Sequence, residues 1–322
     1  RKKTMRQPEQ RAWRTPVEMP WTAPARPRRG WVTIAIIGGG FTGLWAAGTL
    51  AQLGAKVAVL DAETIGWGAS SRNGGMVLTG LKLGVNKLIS MYGRERTQRM
   101  YAASLATIDC VEHLVKEEKI DCDFVRSGHL EVACKQKHFD DYARQAEVIA
   151  REFNHQLRVL PRAELQSEIG SSIYYGGMVD EASAGLNPAR YVAGLAQAAI
   201  RAGATVFENT RVEKIGREDQ HGTKHWRITT SRGALSAREV FAGTSGYTGS
   251  ATPGAAQKAH SHWLLHHHHG SPARGPGARV EPAQSHALRL QELSLLLLPD
   301  ARPAHPLWRA GRRTPRTPGF DP

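Results

Sequence analysis

Cysteine is scarce in this chain: there are three in 322 residues, Cys110, Cys122 and Cys134, an odd number with no C-x-x-C spacing. That excludes a disulfide framework and a thiolate zinc site, and it fits thiols kept reduced, so the cytoplasm is the expected compartment. Long apolar runs are also missing. The leucine run at 295–298 falls far short of the about 20 residues that span a bilayer, and no membrane association is expected. The four histidines at 266–269 lack the spacing and supporting acids of a built metal site, so no metal is expected either.

Acidic residues are in deficit, 29 against 43 Lys and Arg, for a formal net charge of +14. The excess belongs to the ends. Residues 1–30 hold nine basic and two acidic residues and residues 254–322 hold nine and four, leaving only +2 for the 223 residues between. Nucleic-acid binding needs basic residues interleaved with aromatics on a folded face, and the central region offers none, so no nucleic-acid partner is expected. The Arg- and Pro-rich stretch 1–30 lacks periodicity and reads as a disordered extension or as an upstream over-read starting before Met5. Arg28-Arg29 precedes an apolar run too short for an export signal, and that run is already committed to a strand.

What is present is a dinucleotide clamp. WVTIAII at 31–37 is β-branched and nearly all apolar, as a strand covered on both faces should be. It ends in Gly38-Gly39-Gly40-Phe41-Thr42-Gly43, which has the G-x-G-x-x-G spacing. Gly38 permits the tight turn, Gly40 lets backbone approach a pyrophosphate, and Gly43 lets the next helix pack against the strand. That helix, 41–53, points free N–H groups and about half a positive charge at the phosphates, and Gly54 stops it. A second strand at 56–60 leads to Asp61, placed to accept hydrogen bonds from ribose hydroxyls.

The run Ile65-Gly66-Trp67-Gly68-Ala69-Ser70-Ser71-Arg72-Asn73-Gly74-Gly75-Met76 narrows the choice of dinucleotide, because a nicotinamide domain has no need of it. Together with IGGGFTGL it resembles the FAD-dependent amine and amino-acid oxidoreductases of the D-amino-acid oxidase superfamily, in the branch that holds γ-glutamylputrescine oxidoreductase. The resemblance covers residues 31–253. It implies that Ala69, Ser70, Ser71, Arg72, Asn73, Gly74, Gly75 and Met76 contact FAD, the small residues wrapping the pyrophosphate and the Arg-Asn-Gly-Gly turn lying beside the flavin ring. It adds Val212 at the adenine end and Gly243, in EVFAGTSG, beneath the cofactor. Ser71 stands where the family has Gly, and strain in a φ-positive turn is expected there. Met76 stands where Gln is common, and removes an amide donor near the ring.

The implied fold is mixed α/β: a Rossmann-like FAD-binding domain built from about 31–80 and 185–253, with an antiparallel-sheet substrate domain at about 81–184 inserted in it, incomplete toward the C-terminus. Residues 94–119 read as one amphipathic helix with Tyr101, Leu105, Ile108 and Val111 in its apolar stripe, and 140–153 as another. Residues 124–133 alternate like a strand pair. His129 there reads as a sheet residue, since no partner carboxylate can be placed beside it from sequence. Residues 174–180 read as a strand, Asn187-Pro188 as a helix start, and 204–208 and 210–215 as returning strands.

After Pro253 the strand and helix grammar stops, and 254–322 carries nine of the seventeen prolines and eight of the fourteen histidines. Restarting the reading at the second codon base allows 254–311 to be written as a strand-like sequence similar to the family's continuation. The expectation is an out-of-frame, disordered tail, with one base inserted just after the Pro253 codon. The resemblance implies oxidation of the C–N bond of an amine or amino acid, with hydride passing to flavin N5, hydrolysis of the imine, and electrons going to oxygen or another acceptor. No catalytic base is legible. The other readings are an inactive frameshifted fragment of such an enzyme and a basic protein that binds through its tails.

Overall fold

The computed structural model describes residues 31–220, 223–249 and 251. The expectations of a disordered extension at 1–30 and of an out-of-frame tail at 254–322, with its histidine and leucine runs, lie outside the described residues.

The principal sheet forms around β1 (Trp31–Ile37). A crossover through α1 (Phe41–Gln52) returns the chain to β2 (Val57–Leu60), parallel to β1. On the other side β1 pairs in parallel with β11 (Gly233–Ala242), from Trp31 opposite Ser236 to Ile37 opposite Ala242. Strands on both edges leave only the two faces to bury, which is why Ala35, Ile36 and Ile37 are all buried and none is polar. β8 (Thr205–Phe207) joins the outer side of β2, and β10 (Thr223–Thr230) and β9 (Val212–Gln220) extend the sheet antiparallel to β11, in the order β8-β2-β1-β11-β10-β9.

Helix α6 (Pro188–Arg201) packs on α1 through small residues, with the Cα of Ala199 close to Gly48. Its opposite side meets Ile120, where any side chain on Gly194 would collide. A helix covered on both sides should be apolar nearly all round, and Tyr191, Val192, Leu195, Ala196 and Ala199 are buried. Asn187 caps it as expected, its Oδ1 accepting from the N–H groups of Ala189 (3.1 Å) and Arg190 (3.2 Å), with Pro188 at the first helical position.

Between β2 and α6 the chain builds a second body. Short β3 (Met76–Val77) pairs antiparallel with β7 (Ala184–Gly185). A three-stranded antiparallel sheet places β6 (Gly176–Asp180) between β4 (His129–Val132) and β5 (Arg158–Pro161). Helices α2 (Val85–Tyr92), α3 (Arg94–Glu117), α4 (Gln136–Phe153) and the single turn α5 (Arg162–Leu165) complete it. Three expectations need correction. Residues 124–133 are not a strand pair: only β4 forms, its partner is β6, and Val125 makes an isolated bridge to Gly185. Helix α4 starts four residues before the expected 140. The strand expected at 210–215 runs on to Gln220, because the antiparallel ladder with β10 supports its charged half.

Candidate functional site

The turn after β1 is held from both neighbours. Gly38 N–H donates to the Leu60 carbonyl (2.9 Å) and Gly243 N–H donates to the Ile37 carbonyl (2.8 Å). Gly38 has φ +103, and a Cβ there would stand 2.7 Å from the Gly243 carbonyl oxygen. A Cβ on Gly43 would overlap the Gly38 carbonyl oxygen, and one on Gly40 would meet Ser70 Oγ at 2.8 Å. Gly38 and Gly43 are therefore required by close approaches to backbone, whereas a Cβ on Gly40 or Gly39 would displace the end of the Ser70 or Ile65 side chain.

Gly40 caps α1 without a side chain. The first N–H groups of a helix have no carbonyl within it to reach. Phe41 N–H is taken by Ser70 Oγ (3.1 Å), while Thr42 and Gly43 present theirs beside it at the positive end of the helix. This is a cradle for an anion, roofed by the Ser70 hydroxyl and too narrow for side chains.

Asp61 stands at the end of β2 with Oδ2 accepting from Gly39 N–H (2.6 Å) and Oδ1 from Glu63 N–H (2.9 Å). Each carboxylate oxygen keeps a lone pair for a ribose hydroxyl. Burial is the main influence on the carboxyl and raises its pKa, outweighing the two backbone donors. An acid whose pKa is raised by folding binds its proton more tightly when folded. Its contribution is therefore fully present below the unfolded value of 3.8 and is lost as pH rises through the folded one. The stability of the wild type relative to Asp61→Asn should fall across that window, read as urea midpoints in a pH series.

The turn from β8 to β9 wraps this acid. Thr210 N–H reaches the Asp61 carbonyl (2.7 Å), Asn209 N–H the Glu63 carbonyl (3.0 Å), and Ile65 N–H the Glu208 carboxylate (2.7 Å). Val212 follows, partly buried against Ala35, Leu60 and Phe207. It lies beside the Asp61 segment and apart from the glycine turn.

Ala69–Ser71 form a short 3-10 turn, and Ser71 is not among the positive-φ residues. The expected strain is absent because the turn is right-handed there and the Ser71 hydroxyl donates to the Gly66 carbonyl. Gly66 and Gly75 carry the positive φ instead. Asn73 knots the next turn, its Nδ2 donating to the Ala69 and Ser70 carbonyls (3.1 and 3.2 Å) and its Oδ1 accepting from Gly75 N–H (2.9 Å). Arg72 swings out over Trp67, 4.9 Å from the ring centre, and Trp67 meets Tyr247 edge-on at 5.7 Å.

Gly74, Gly75 and Met76 line a small cleft of about 30 Å³ together with Ser127, Gly128 and His129. The predicted residues thus fall into groups: Gly38, Gly40, Phe41, Thr42, Gly43, Ser70 and Gly243 at the turn after β1, Asp61 at the end of β2 with Val212 on β9, Gly74 to Met76 at the cleft, and Ala69, Ser71, Arg72 and Asn73 in the turns between Gly66 and Gly75. Sequence reading missed Gly39, Glu208, Tyr247 and the far wall of the cleft. The unbroken triple glycine was a signal for the first; the others depend on contacts between distant segments.

Comparison with known proteins agrees with this geometry. The profile of the FAD dependent oxidoreductase family matches residues 33–306. The "Probable oxidoreductase OrdL" of Rhizobium meliloti is 35% identical over 221 residues, 68% of this chain and 50% of that protein. The γ-glutamylputrescine oxidoreductase of Escherichia coli is 31% identical over 216 residues, 67% of this chain and 49% of that protein. The chain spans about half the length of these relatives. Glycine oxidase from Geobacillus kaustophilus shares the fold, with a TM-score of 0.55 at 24% identity over 69% of this chain and 58% of that one.

Proposed function

This chain belongs to the FAD dependent oxidoreductase family, and from that premise we propose that it binds FAD and serves the oxidation of an amine or amino acid at its C–N bond. The observation that carries the reading is the glycine cradle. Gly38 and Gly43 exclude a Cβ because each would meet backbone, and the turn they allow sets the N-terminus of α1 beside Asp61, whose carboxylate accepts from Gly39 N–H at 2.6 Å.

In this reading the N–H groups of Thr42 and Gly43 and the Ser70 hydroxyl hold the pyrophosphate, Asp61 accepts from the ribose, and the 73–76 turn lies along the flavin ring. FAD supplies the two-electron acceptor when bound. The chain's own residues position it, exclude water around it and handle the substrate's proton. Residues 31–80 and 185–253 make the FAD-binding domain and 81–184 the substrate domain, a division supported by the β3–β7 pair that closes the chain just where it leaves and re-enters the first sheet. The substrate is a small amine or amino acid. An aliphatic amine of the γ-glutamylated kind is favoured, the kind named for the Escherichia coli relative.

No helix among the described residues is long and apolar enough to cross a membrane. The cytoplasm is the compartment we assign, because Cys110, Cys122 and Cys134 are all free thiols.

The test is to add FAD to the purified chain, remove the excess and measure bound flavin by its visible absorbance. One flavin per chain is expected, with bleaching when an amine substrate is added without oxygen. A chain that holds no flavin would overturn the reading.

A further inference from the structure

Strand β3 is only two residues long, with Met76 opposite Gly185 and Val77 opposite Ala184 on β7. A ribbon of two such strands is marginal by itself, and two pairs set its register without fixing its tilt. Its entry is pinned by backbone. Leu186 N–H donates to the Gly75 carbonyl (2.9 Å), and Gly75, at φ +69, lies so close that a Cβ there would overlap the Leu186 carbonyl oxygen. Its exit is held by side chains: the Thr79 hydroxyl donates to Asp180 Oδ2, and Gly80 N–H donates to Ser104 Oγ (2.9 Å) on α3.

Asp180 ends β6, opposite His129 in the ladder with β4, and is buried. Its two oxygens serve the two strands of the ribbon. Oδ2 holds Thr79 beyond β3, while Oδ1 accepts from Ala182 N–H (3.0 Å) in the turn that leads into β7 and pairs with His155 Nε2 (3.0 Å). Thr79 has one hydroxyl proton and gives it to Asp180, so its lone pairs are left for the Tyr101 phenol, which reaches it from α3. Burial, the largest influence, raises the Tyr101 pKa above 10.0, and the phenol keeps the proton it donates. Phenol, hydroxyl and carboxylate thus form one chain of hydrogen bonds, each polarising the next.

We propose that Thr79 is a positioning residue for the flavin: through Asp180 it sets the tilt of β3, and with it the placement of the Gly74–Met76 turn against the ring. The inference rests on the FAD reading and deepens it. Thr79 lies three residues beyond Met76, about 10 Å along an extended chain, so it acts on the ring only through the strand. The glycine cradle and Asp61 are held instead through the principal sheet, by Leu60, Ile37 and Gly39. Loss of the Thr79 hydroxyl therefore loosens the flavin end of the site and leaves the pyrophosphate and ribose end intact.

ADP shares the pyrophosphate, ribose and adenine of FAD and lacks its ring, so binding of the two to the full chain separates the ends of the site. Thr79→Val should weaken FAD binding by about tenfold, the lower end of what a hydrogen bond to a charged group contributes, and leave ADP binding at the wild-type value. At saturating FAD the same variant should show altered visible circular dichroism, which reports the asymmetry around the ring. Thr79→Ser, which keeps the hydroxyl, should restore both. Thr107→Val, exposed on α3 with its hydroxyl bonded to the Ala103 carbonyl (2.8 Å), controls for the substitution itself and should change neither. Equal weakening of FAD and ADP by Thr79→Val would replace positioning with general loosening and overturn the inference. Unchanged FAD binding with unchanged dichroism would overturn it too, and in both cases the FAD reading stands. A wild-type chain that binds no FAD would overturn that reading and this inference together.

Discussion

Replacing Gly43 with Ala should cost this protein its FAD before it costs the fold, with flavin occupancy falling at least tenfold and unfolding free energy dropping by about 1–3 kcal/mol, the usual penalty for forcing a methyl into a packed core. The added methyl overlaps the Gly38 carbonyl oxygen and approaches Ile36 Cγ2 at 3.2 Å. Neither backbone atom nor buried strand can yield, so α1 must lift off β1. The N–H groups of Thr42 and Gly43 move with it, and an anion cradle depends on their aim. Two controls separate the causes. Gly216→Ala meets nothing within 4 Å at an ordinary φ and should be nearly silent, whereas Gly54→Ala meets nothing but sits at φ +85, so only backbone strain should appear. Urea unfolding and bound-flavin absorbance on the three variants check this. Equal losses of flavin in all three would remove the steric explanation.

Removing the Asp180 side chain should be the most destabilising single change outside the glycine turn, about 3 kcal/mol, because a buried charge that satisfies several partners leaves all of them stranded. Asp180 is 8% exposed. It holds the Thr79 hydroxyl from the segment after β3, His155 from the segment after α4, and its own turn through Ala182 N–H. The His155 ring in turn lies 5.9 Å from Tyr101 of α3, which stacks on Phe153 at 4.3 Å. One carboxylate therefore ties the sheet to two helices and to the strand leaving the cleft. Asp180→Ala should lower the urea midpoint sharply, and Asp180→Asn, which keeps the shape and one acceptor, should recover roughly half. Similar midpoints for Asp180→Ala and the wild type would show the network to be incidental.

The parts legible in the sequence were those whose cause is local. Strand, glycine turn, helix, strand and acid follow in order from 31 to 61, and each imposes its own short-range pattern, so β1, α1, β2 and Asp61 fall where the residues put them. Asn187-Pro188 likewise announces α6. The three-stranded sheet was not legible in full, because β4 pairs with a strand about fifty residues later, and alternation in 124–133 signals a strand without naming its partner. For the same reason His129 lacked a visible carboxylate: Asp180 becomes its neighbour only through register. Strand β10 escaped because its polar sequence TKHWRITT resembles an exposed loop until β9 and β11 flank it. Ser71 misled in the other direction, since a family glycine implied a left-handed turn that this chain places at Gly66 and Gly75 instead.

The position of β1 also sets a timetable for synthesis. Its partner on one side, β2, emerges within about twenty residues, but on the other side Ile37 waits for Ala242. At the usual pace of about 5–20 residues per second, this apolar strand spends on the order of 10–40 s with an unfilled edge while the intervening residues are translated. The nascent chain is thus exposed to misassembly for that interval, and the contact of Gly38 with Gly243 is completed only as β11 arrives. Ribosome-bound chains halted before residue 233 should consequently recruit chaperones and gain no protection from added FAD.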